Sequence, residues 1–139
     1  MLERGMTIHA GGCHCGAIRV EFDSEKPLAP RACQCSFCRK HNARSVSDPD
    51  GKVTIVAGDV QRYRFGQKLA DFLICPACGI YVGAVADLDG GTCAVLNLNA
   101  FDDPHLDLEG APFSYDGESA GTRNARRRER WTPARIVEP

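Results

Sequence analysis

Short runs of alternating apolar and polar residues are the main pattern in the first two thirds of the chain. Ile18, Val20 and Phe22 are apolar, and the intervening Arg19 and Glu21 are charged, a period of two that is typical of a half-buried β-strand. Further segments predicted as strands on similar grounds are 52–56, 60–65, 80–85 and 92–99. Turns rich in glycine, proline and aspartate separate several of them. The pattern predicts a mainly β fold with little helix.

From residue 105 onward the periodic pattern weakens. Pro112, Gly117 and Gly121 interrupt this segment, so we expect no long amphipathic helix in it. Residues 123–130 contain five arginines and one glutamate, and we interpret this basic run as a solvated tail. The alternative is a basic patch that binds nucleic acid. We predict one domain over residues 1–139, with a core at 11–104 and a C-terminal extension at 105–139.

Length, charge and hydropathy narrow the class of protein. A chain of 139 residues is long enough for one hydrophobic core and too short for two independent ones. Its 17 basic and 18 acidic residues nearly cancel, so the overall charge does not favour nucleic acid or acidic membranes as partners. No run of eighteen apolar residues occurs, and residues 1–12 lack an apolar leader. We expect a cytoplasmic protein that does not associate with membranes.

Eight cysteines are the chemical signature of the chain, and seven of them fall into three tight groups. An even number of cysteines is compatible with a disulfide framework. In a reducing compartment, however, cysteines spaced as C-x-C, C-x-C-x2-C and C-x2-C are more often metal ligands. Thiolates are soft donors that suit zinc. The spacing therefore favours zinc sites over disulfides.

Two of the groups together make a complete four-thiolate site. Cys13 and Cys15 lie two residues apart at the entry to a predicted strand, where alternate side chains share a face. Cys75 and Cys78, followed by Gly79, have the spacing of a zinc knuckle. Pairing the two groups predicts a structural zinc that links segments about sixty residues apart and contributes roughly 10–16 kcal/mol of apparent binding free energy.

Cys33, Cys35 and Cys38 form the third group, three thiols within six residues. A structural zinc usually has four protein ligands, whereas a reactive zinc keeps one position free for water or substrate. The trio is therefore a candidate open site and the predicted catalytic centre. Spacing alone does not exclude a fourth ligand from Cys93 or His41, or a different partition in which one of the two cysteine pairs serves the trio instead. We interpret Cys93 as a small buried hydrophobic residue of an alternating strand.

The order of these motifs resembles a known family. The matching segments are Gly12-Cys13-x-Cys15-Gly16, Cys33-x-Cys35-Ser36-x2-Cys38-Arg39-Lys40, Cys75-x2-Cys78-Gly79 and Phe101-Asp102-Asp103-Pro104. They resemble the glutathione-dependent formaldehyde-activating enzyme family, whose domain also occurs in centromere protein V. The resemblance covers about residues 11–104. It implies a zinc-bearing β fold of the Mss4-like kind, with a structural zinc on the four-cysteine set and a second zinc on the trio.

The resemblance also implies an activity, carbon–sulfur lyase chemistry that forms S-hydroxymethylglutathione from formaldehyde and glutathione. The expected partners are then a small thiol, glutathione or similar, and a small aldehyde. A free thiol has a pKa near 8.5 and is mostly protonated at neutral pH, and bound zinc would deprotonate it. Because three thiolates and a substrate sulfur leave the zinc site with a negative charge, we expect nearby cations. Arg39, Lys40 and His41, which follow the trio, are the predicted substrate-binding residues. Arg31 and Arg44, which flank the trio, are further candidates for offsetting its charge or holding a substrate carboxylate.

Two other classes of function remain open at this stage. A non-catalytic zinc module would bind protein or nucleic acid, and residues 123–130 are its best support. A redox protein would use Cys75 and Cys78 as a dithiol, but that assignment leaves Cys13 and Cys15 without partners.

Overall fold

The computed structural model describes residues 7–139, which form eleven β-strands and two α-helices. The strands are β1 (Thr7–Gly12), β2 (Ile18–Ser24), β3 (Arg31–Cys33), β4 (Ser45–Val46), β5 (Lys52–Ala57), β6 (Gln61–Tyr63), β7 (Asp71–Ile74), β8 (Tyr81–Leu88), β9 (Gly91–Asn97), β10 (Ala111–Phe113) and β11 (Thr132–Val137). The helices are α1 (Ser36–His41) and α2 (Ala120–Arg130), and a single 3₁₀ turn spans Leu98–Ala100. Within the described residues, no helix has the length and apolar character to cross a membrane. The predicted mainly β fold with little helix is confirmed.

The strands form one continuous hydrogen-bonded network. Its main path runs β1-β2-β5-β11-β9-β4-β3-β10, and β8, β7 and β6 extend from β9. Neighbouring strands are antiparallel, except that β11 pairs with β5 and β10 pairs with β3 in parallel. The central strand β9 pairs with β8 over most of its length and also with β11 and β4.

Alternation along the strands accounts for the core. Ile18, Val20 and Phe22 of β2 are almost fully buried, as the sequence pattern predicts. They pack with apolar side chains of β5, β7, β8 and β9 in the largest hydrophobic cluster. The strand predicted at 92–99 ends early, at Asn97, because the Asn97 side chain accepts a hydrogen bond from the Asn99 N–H at 3.2 Å and starts the 3₁₀ turn.

The C-terminal segment is where the sequence prediction is wrong. Residues 120–130 form α2 rather than a solvated tail, and β11 lies between β5 and β9 inside the sheet. Ser119 begins the helix, since its hydroxyl oxygen accepts a hydrogen bond from the Thr122 N–H at 3.1 Å. Trp131, directly after the helix, is 6% exposed. The extension therefore packs into the same sheet as the predicted core.

Candidate metal centres and the adjoining pocket

The four-cysteine set comes together at two turns. Cys13 and Cys15 lie in the β1–β2 turn, Cys75 and Cys78 lie in the β7–β8 turn, and all four sulfurs are within 4.8 Å of one another. The Cys13–Cys15 and Cys15–Cys75 sulfurs are each 3.7 Å apart. A tetrahedron with zinc–sulfur bonds of about 2.3 Å has edges of about 3.8 Å. The spacing fits a four-thiolate zinc site, and the redox alternative loses its basis because Cys13 and Cys15 have partners.

All eight cysteines are free thiols, so the disulfide alternative is wrong. Backbone amides at the β7–β8 turn favour the charged form of its sulfurs. The Cys78 N–H donates to the Cys75 sulfur at 3.4 Å and lowers the pKa of Cys75. Amides of Cys15 and Ile80 lower the pKa of Cys78 to about 6. Gly79 has a φ of 82°, a left-handed conformation that glycine adopts without strain.

The trio lies where β3 leads into α1. Cys33 ends the strand, Cys35 is the N-cap of the helix, and Cys38 is buried one turn later. Their three sulfurs lie within 4.8 Å of one another. The Cys38 N–H donates to the Cys35 sulfur at 3.4 Å, which repeats the contact in the four-cysteine set. Hydrogen bonds from the Cys33 and Cys38 thiols lower the pKa of Cys35, which favours its thiolate form.

Within the described residues, no fourth protein ligand completes the trio. Among residues 7–139, no further histidine, cysteine or carboxylate atom lies within 4.8 Å of all three sulfurs. Cys93 packs against an apolar cluster that includes Trp131, and burial raises its pKa, as expected for a small hydrophobic residue. The His41 ring packs on Phe37, with their centroids 4.4 Å apart. Neither of the two candidate fourth ligands joins the site.

A cavity of about 320 Å³ opens beside the trio. Cys33 and Cys35 form part of its wall, together with six aromatic side chains from three strands, two loops and the residue after α2. Its basic residues are Arg31, Arg123, Arg126 and Arg127. The arrangement places two thiols of the trio, aromatic surfaces and guanidinium groups around one small volume, which is suited to a small molecule with a polar or charged end.

The predicted substrate-binding residues occupy a different position. Arg39, Lys40 and His41 are exposed on the last turn of α1 and are not part of the lining of this cavity. Their role in substrate binding stays a prediction. The sequence analysis did not predict that arginines of α2 line the pocket. The available signal was the spacing of residues 123, 126 and 127, which places them on one face of a helix.

Glu118 holds two of the pocket arginines in place. Its carboxylate pairs with the Nε atoms of Arg123 at 3.1 Å and Arg126 at 2.9 Å. The Arg126 guanidinium lies 3.4 Å from the centroid of the Tyr115 ring. These contacts fix the wall of the pocket formed by α2.

Comparison with known proteins agrees with this geometry. The family model of the glutathione-dependent formaldehyde-activating enzyme matches residues 8–112. The fold is similar to the crystal structure of a Rhodobacter sphaeroides protein determined in a structural-genomics programme, with a TM-score of 0.55 and 28% sequence identity over 74% of this chain and 97% of that chain. The mainly β fold with two cysteine clusters is the Mss4-like fold of the family. The chain belongs to the glutathione-dependent formaldehyde-activating enzyme family.

Proposed function

We propose that this protein is a zinc-dependent enzyme of the carbon–sulfur lyase type, acting on adducts between a small thiol, such as glutathione, and formaldehyde or another small aldehyde. The observation that carries the proposal is a cluster of three cysteines that has no fourth ligand among residues 7–139, with two of the three in the wall of a pocket. The four-cysteine set has the complete ligand number of a structural site. Its role is to hold the fold together.

The donor set fits zinc, and Cys33, Cys35 and Cys38 would hold the reactive ion. When bound there, zinc would supply a Lewis-acidic position that lowers the pKa of an incoming thiol. Three cysteine thiolates outweigh the charge of a divalent ion, and a substrate thiolate adds another negative charge. The pocket arginines offset this charge, and Arg31 and Arg127 have no carboxylate within salt-bridge distance in the described part of the chain.

The reaction requires no further reactant. A sulfur–carbon bond forms, the carbonyl double bond becomes a single bond, and one proton moves from the thiol sulfur to the carbonyl oxygen. The reverse steps cleave the adduct. Tyr81 lies in the pocket wall beside the trio, and burial raises the pKa of its hydroxyl well above the ordinary value, so the group stays protonated at neutral pH. In the proposed reaction its hydroxyl would donate a hydrogen bond to the carbonyl or adduct oxygen.

The alternative of a nucleic-acid-binding module loses its main support. Arg123 and Arg126 pair with Glu118, and Arg128 lies 3.5 Å from Asp89. The basic run of the sequence is therefore divided between ion pairs and the pocket wall rather than presented as one free basic surface.

The test is an adduct assay on the zinc-loaded protein. Formation and breakdown of the glutathione–formaldehyde adduct are followed by nuclear magnetic resonance exchange, with a panel of other thiols and aldehydes in parallel. We expect catalysis above the spontaneous rate and a loss of about 100-fold or more in Cys35→Ser, because even residues outside the ligand set often cost 10–100-fold. Cys93→Ser, a cysteine outside both clusters, is the matched control. The proposal would be excluded if the protein accelerated the reaction of no thiol–aldehyde combination in the panel, or if Cys35→Ser and the parent protein had equal rates.

A further inference from the structure

Two arginines in the pocket wall have unused hydrogen-bonding capacity. The Nε and Nη1 atoms of Arg127 are buried and have no hydrogen-bond partner within residues 7–139. The Nε atom of Arg31 is in the same condition, although its Nη2 atom donates to the Ser47 hydroxyl at 2.8 Å. Buried polar groups are nearly always paired, so unpaired ones point to a missing partner.

The surroundings make the missing partner an anion. Burial, followed by the charges of Arg126 and Arg123, lowers the pKa of Arg127 to about 10, so its guanidinium is still charged at neutral pH. No carboxylate of the described residues lies within 4.0 Å of the guanidinium nitrogens of Arg127 or Arg31. An unpaired buried charge is destabilising. A bound anion would relieve this cost.

The other large surface cavity provides a contrast. Arg62 and Arg64 line it, and both pair with the carboxylate of Asp71. Its arginines are already satisfied by the chain itself. Of these two cavities, the one beside the trio combines two arginines that lack carboxylate partners among residues 7–139 with an aromatic wall.

We propose that Arg127 and Arg31 bind the carboxylate of a small organic acid, whose other end reaches Cys33 and Cys35. A guanidinium is a planar fork of donors that matches a carboxylate, and the Arg127 guanidinium lies over the Trp131 ring, 4.7 Å from its centroid. The cavity of about 320 Å³ is near the lower end of small-molecule sites, roughly 300–1,000 Å³. Its aromatic wall suits the organic part of the ligand.

The proposal names a substrate class. Binding of the acid does not depend on the proposed function. The further step, in which the bound acid carries the thiol or aldehyde that reacts at the trio, rests on that function. Formaldehyde alone has no group that would use Arg127. The family match ends at residue 112, so α2 with Arg127 lies beyond it. Of the two arginines of the carboxylate site, Arg127 thus lies outside the matched segment and Arg31 lies within it.

The experiment uses Trp131 as the reporter, because it is the single tryptophan of the chain and stacks with Arg127. The full-length zinc-loaded protein is titrated with butyrate and with the neutral isostere butyramide while tryptophan fluorescence is recorded. We expect a saturable change with butyrate and binding at least about tenfold weaker for butyramide, the size of one charged hydrogen bond. Arg127→Gln should weaken butyrate binding by about tenfold or more.

Arg128→Gln is the matched control, since Arg128 is the next residue of the same helix, pairs with Asp89 and lies outside the pocket wall. Its butyrate affinity should equal that of the parent protein. Arg127→Lys keeps the charge without the planar fork, and an affinity between those of Arg127→Gln and the parent is expected. Thermal melts of each variant monitor folding.

Three results would overturn the carboxylate site. They are no saturable response of the parent protein to butyrate, equal binding of butyramide, and inorganic sulfate binding without butyrate binding. Butyrate contains neither a thiol nor an aldehyde, so its binding is independent of the adduct reaction. Binding without catalysis would leave this site in place and remove the proposed function, whereas catalysis without carboxylate binding would do the reverse.

Discussion

Replacing Cys75 should have a far larger effect on stability than replacing Cys35, although both are cysteines of a candidate zinc cluster. Cys75 is 1% exposed, and its sulfur lies 3.7 Å from that of Cys15, sixty residues away in the chain. The two turns that meet there belong to strand pairs β1–β2 and β7–β8, which do not pair with each other. The four-cysteine set is therefore a cross-link between separate parts of the sheet. The trio, by contrast, spans only residues 33–38.

The size of the effect follows from this geometry. Structural zinc in small domains contributes apparent binding free energies of about 10–16 kcal/mol, and the net stability of a domain is about 5–15 kcal/mol. Loss of the four-thiolate site therefore removes an amount comparable to the whole stability of the fold. A metal at the trio closes only a local turn that α1 already forms. We expect Cys75→Ser to be largely unfolded at 25 °C and Cys35→Ser to keep the parent circular dichroism spectrum.

The assay combines zinc content per chain with thermal denaturation followed by circular dichroism. The parent should hold two zinc ions, and Cys35→Ser should hold one with its fold intact. Cys93→Ser, outside both clusters, should match the parent in zinc content and nearly in melting temperature. A folded Cys75→Ser protein with the parent melting temperature would refute the reasoning, and an unfolded Cys35→Ser protein would show that the trio is also structural.

Two further predictions concern the sheet that carries the sites. Asp48 is 4% exposed, and although burial alone would raise its pKa, hydrogen bonds from Ser24, Lys26 and the Asp50 N–H hold that pKa below the ordinary value. The stability that Asp48 provides is thus present above its unfolded pKa of about 3.9 and is lost as the pH falls through the lower folded value. Asp48→Asn should therefore lower the free energy of unfolding by about 1–3 kcal/mol at pH 7 and, in urea denaturation, make that free energy depend less on pH below pH 4. Asp50→Asn, at an exposed position, is the control and should change little. A Cβ on Gly12 would lie 2.1 Å from the Ile18 carbonyl oxygen, so Gly12→Ala should cost about 1–3 kcal/mol or more and lower the zinc content. Gly58→Ala, which adds a Cβ in open space, is its control; equal melting temperatures for the two variants would contradict the prediction.

The features that could be predicted from the sequence are those that depend on the spacing of residues close together in the chain. Ile18, Val20 and Phe22 are buried as their alternation requires, because a strand with one buried face has a period of two. The grouping of seven cysteines into a set of four and a set of three is confirmed for the same reason. Each group contains ligands close in sequence, and the ligand number of zinc limits how the groups combine.

The C-terminal segment could not be derived in this way. β11 pairs in parallel with β5, joining residues 134–137 to 53–56, and no local pattern specifies a partner about eighty residues away. α2 buries no residue fully, so it lacks the apolar stripe by which an amphipathic helix is normally recognised. The side chains on its inner face are arginines instead, and arginines in a sequence are expected in solvent.

The negative charge of the trio predicts that cationic side chains lie beside it. The sequence does not specify which cationic residues these are. Three thiolates and a substrate sulfur require cations, and the candidates available from the sequence were the neighbours of the trio, namely Arg31, Arg39, Lys40 and Arg44, of which only Arg31 lines the cavity. The cavity recruits Arg31 and the α2 arginines, which approach the trio only because Phe113 of β10 pairs with Cys33 of β3 and so brings the C-terminal segment across the site. Strand pairing between distant segments, rather than position in the chain, therefore decides which charges a substrate at the trio would meet.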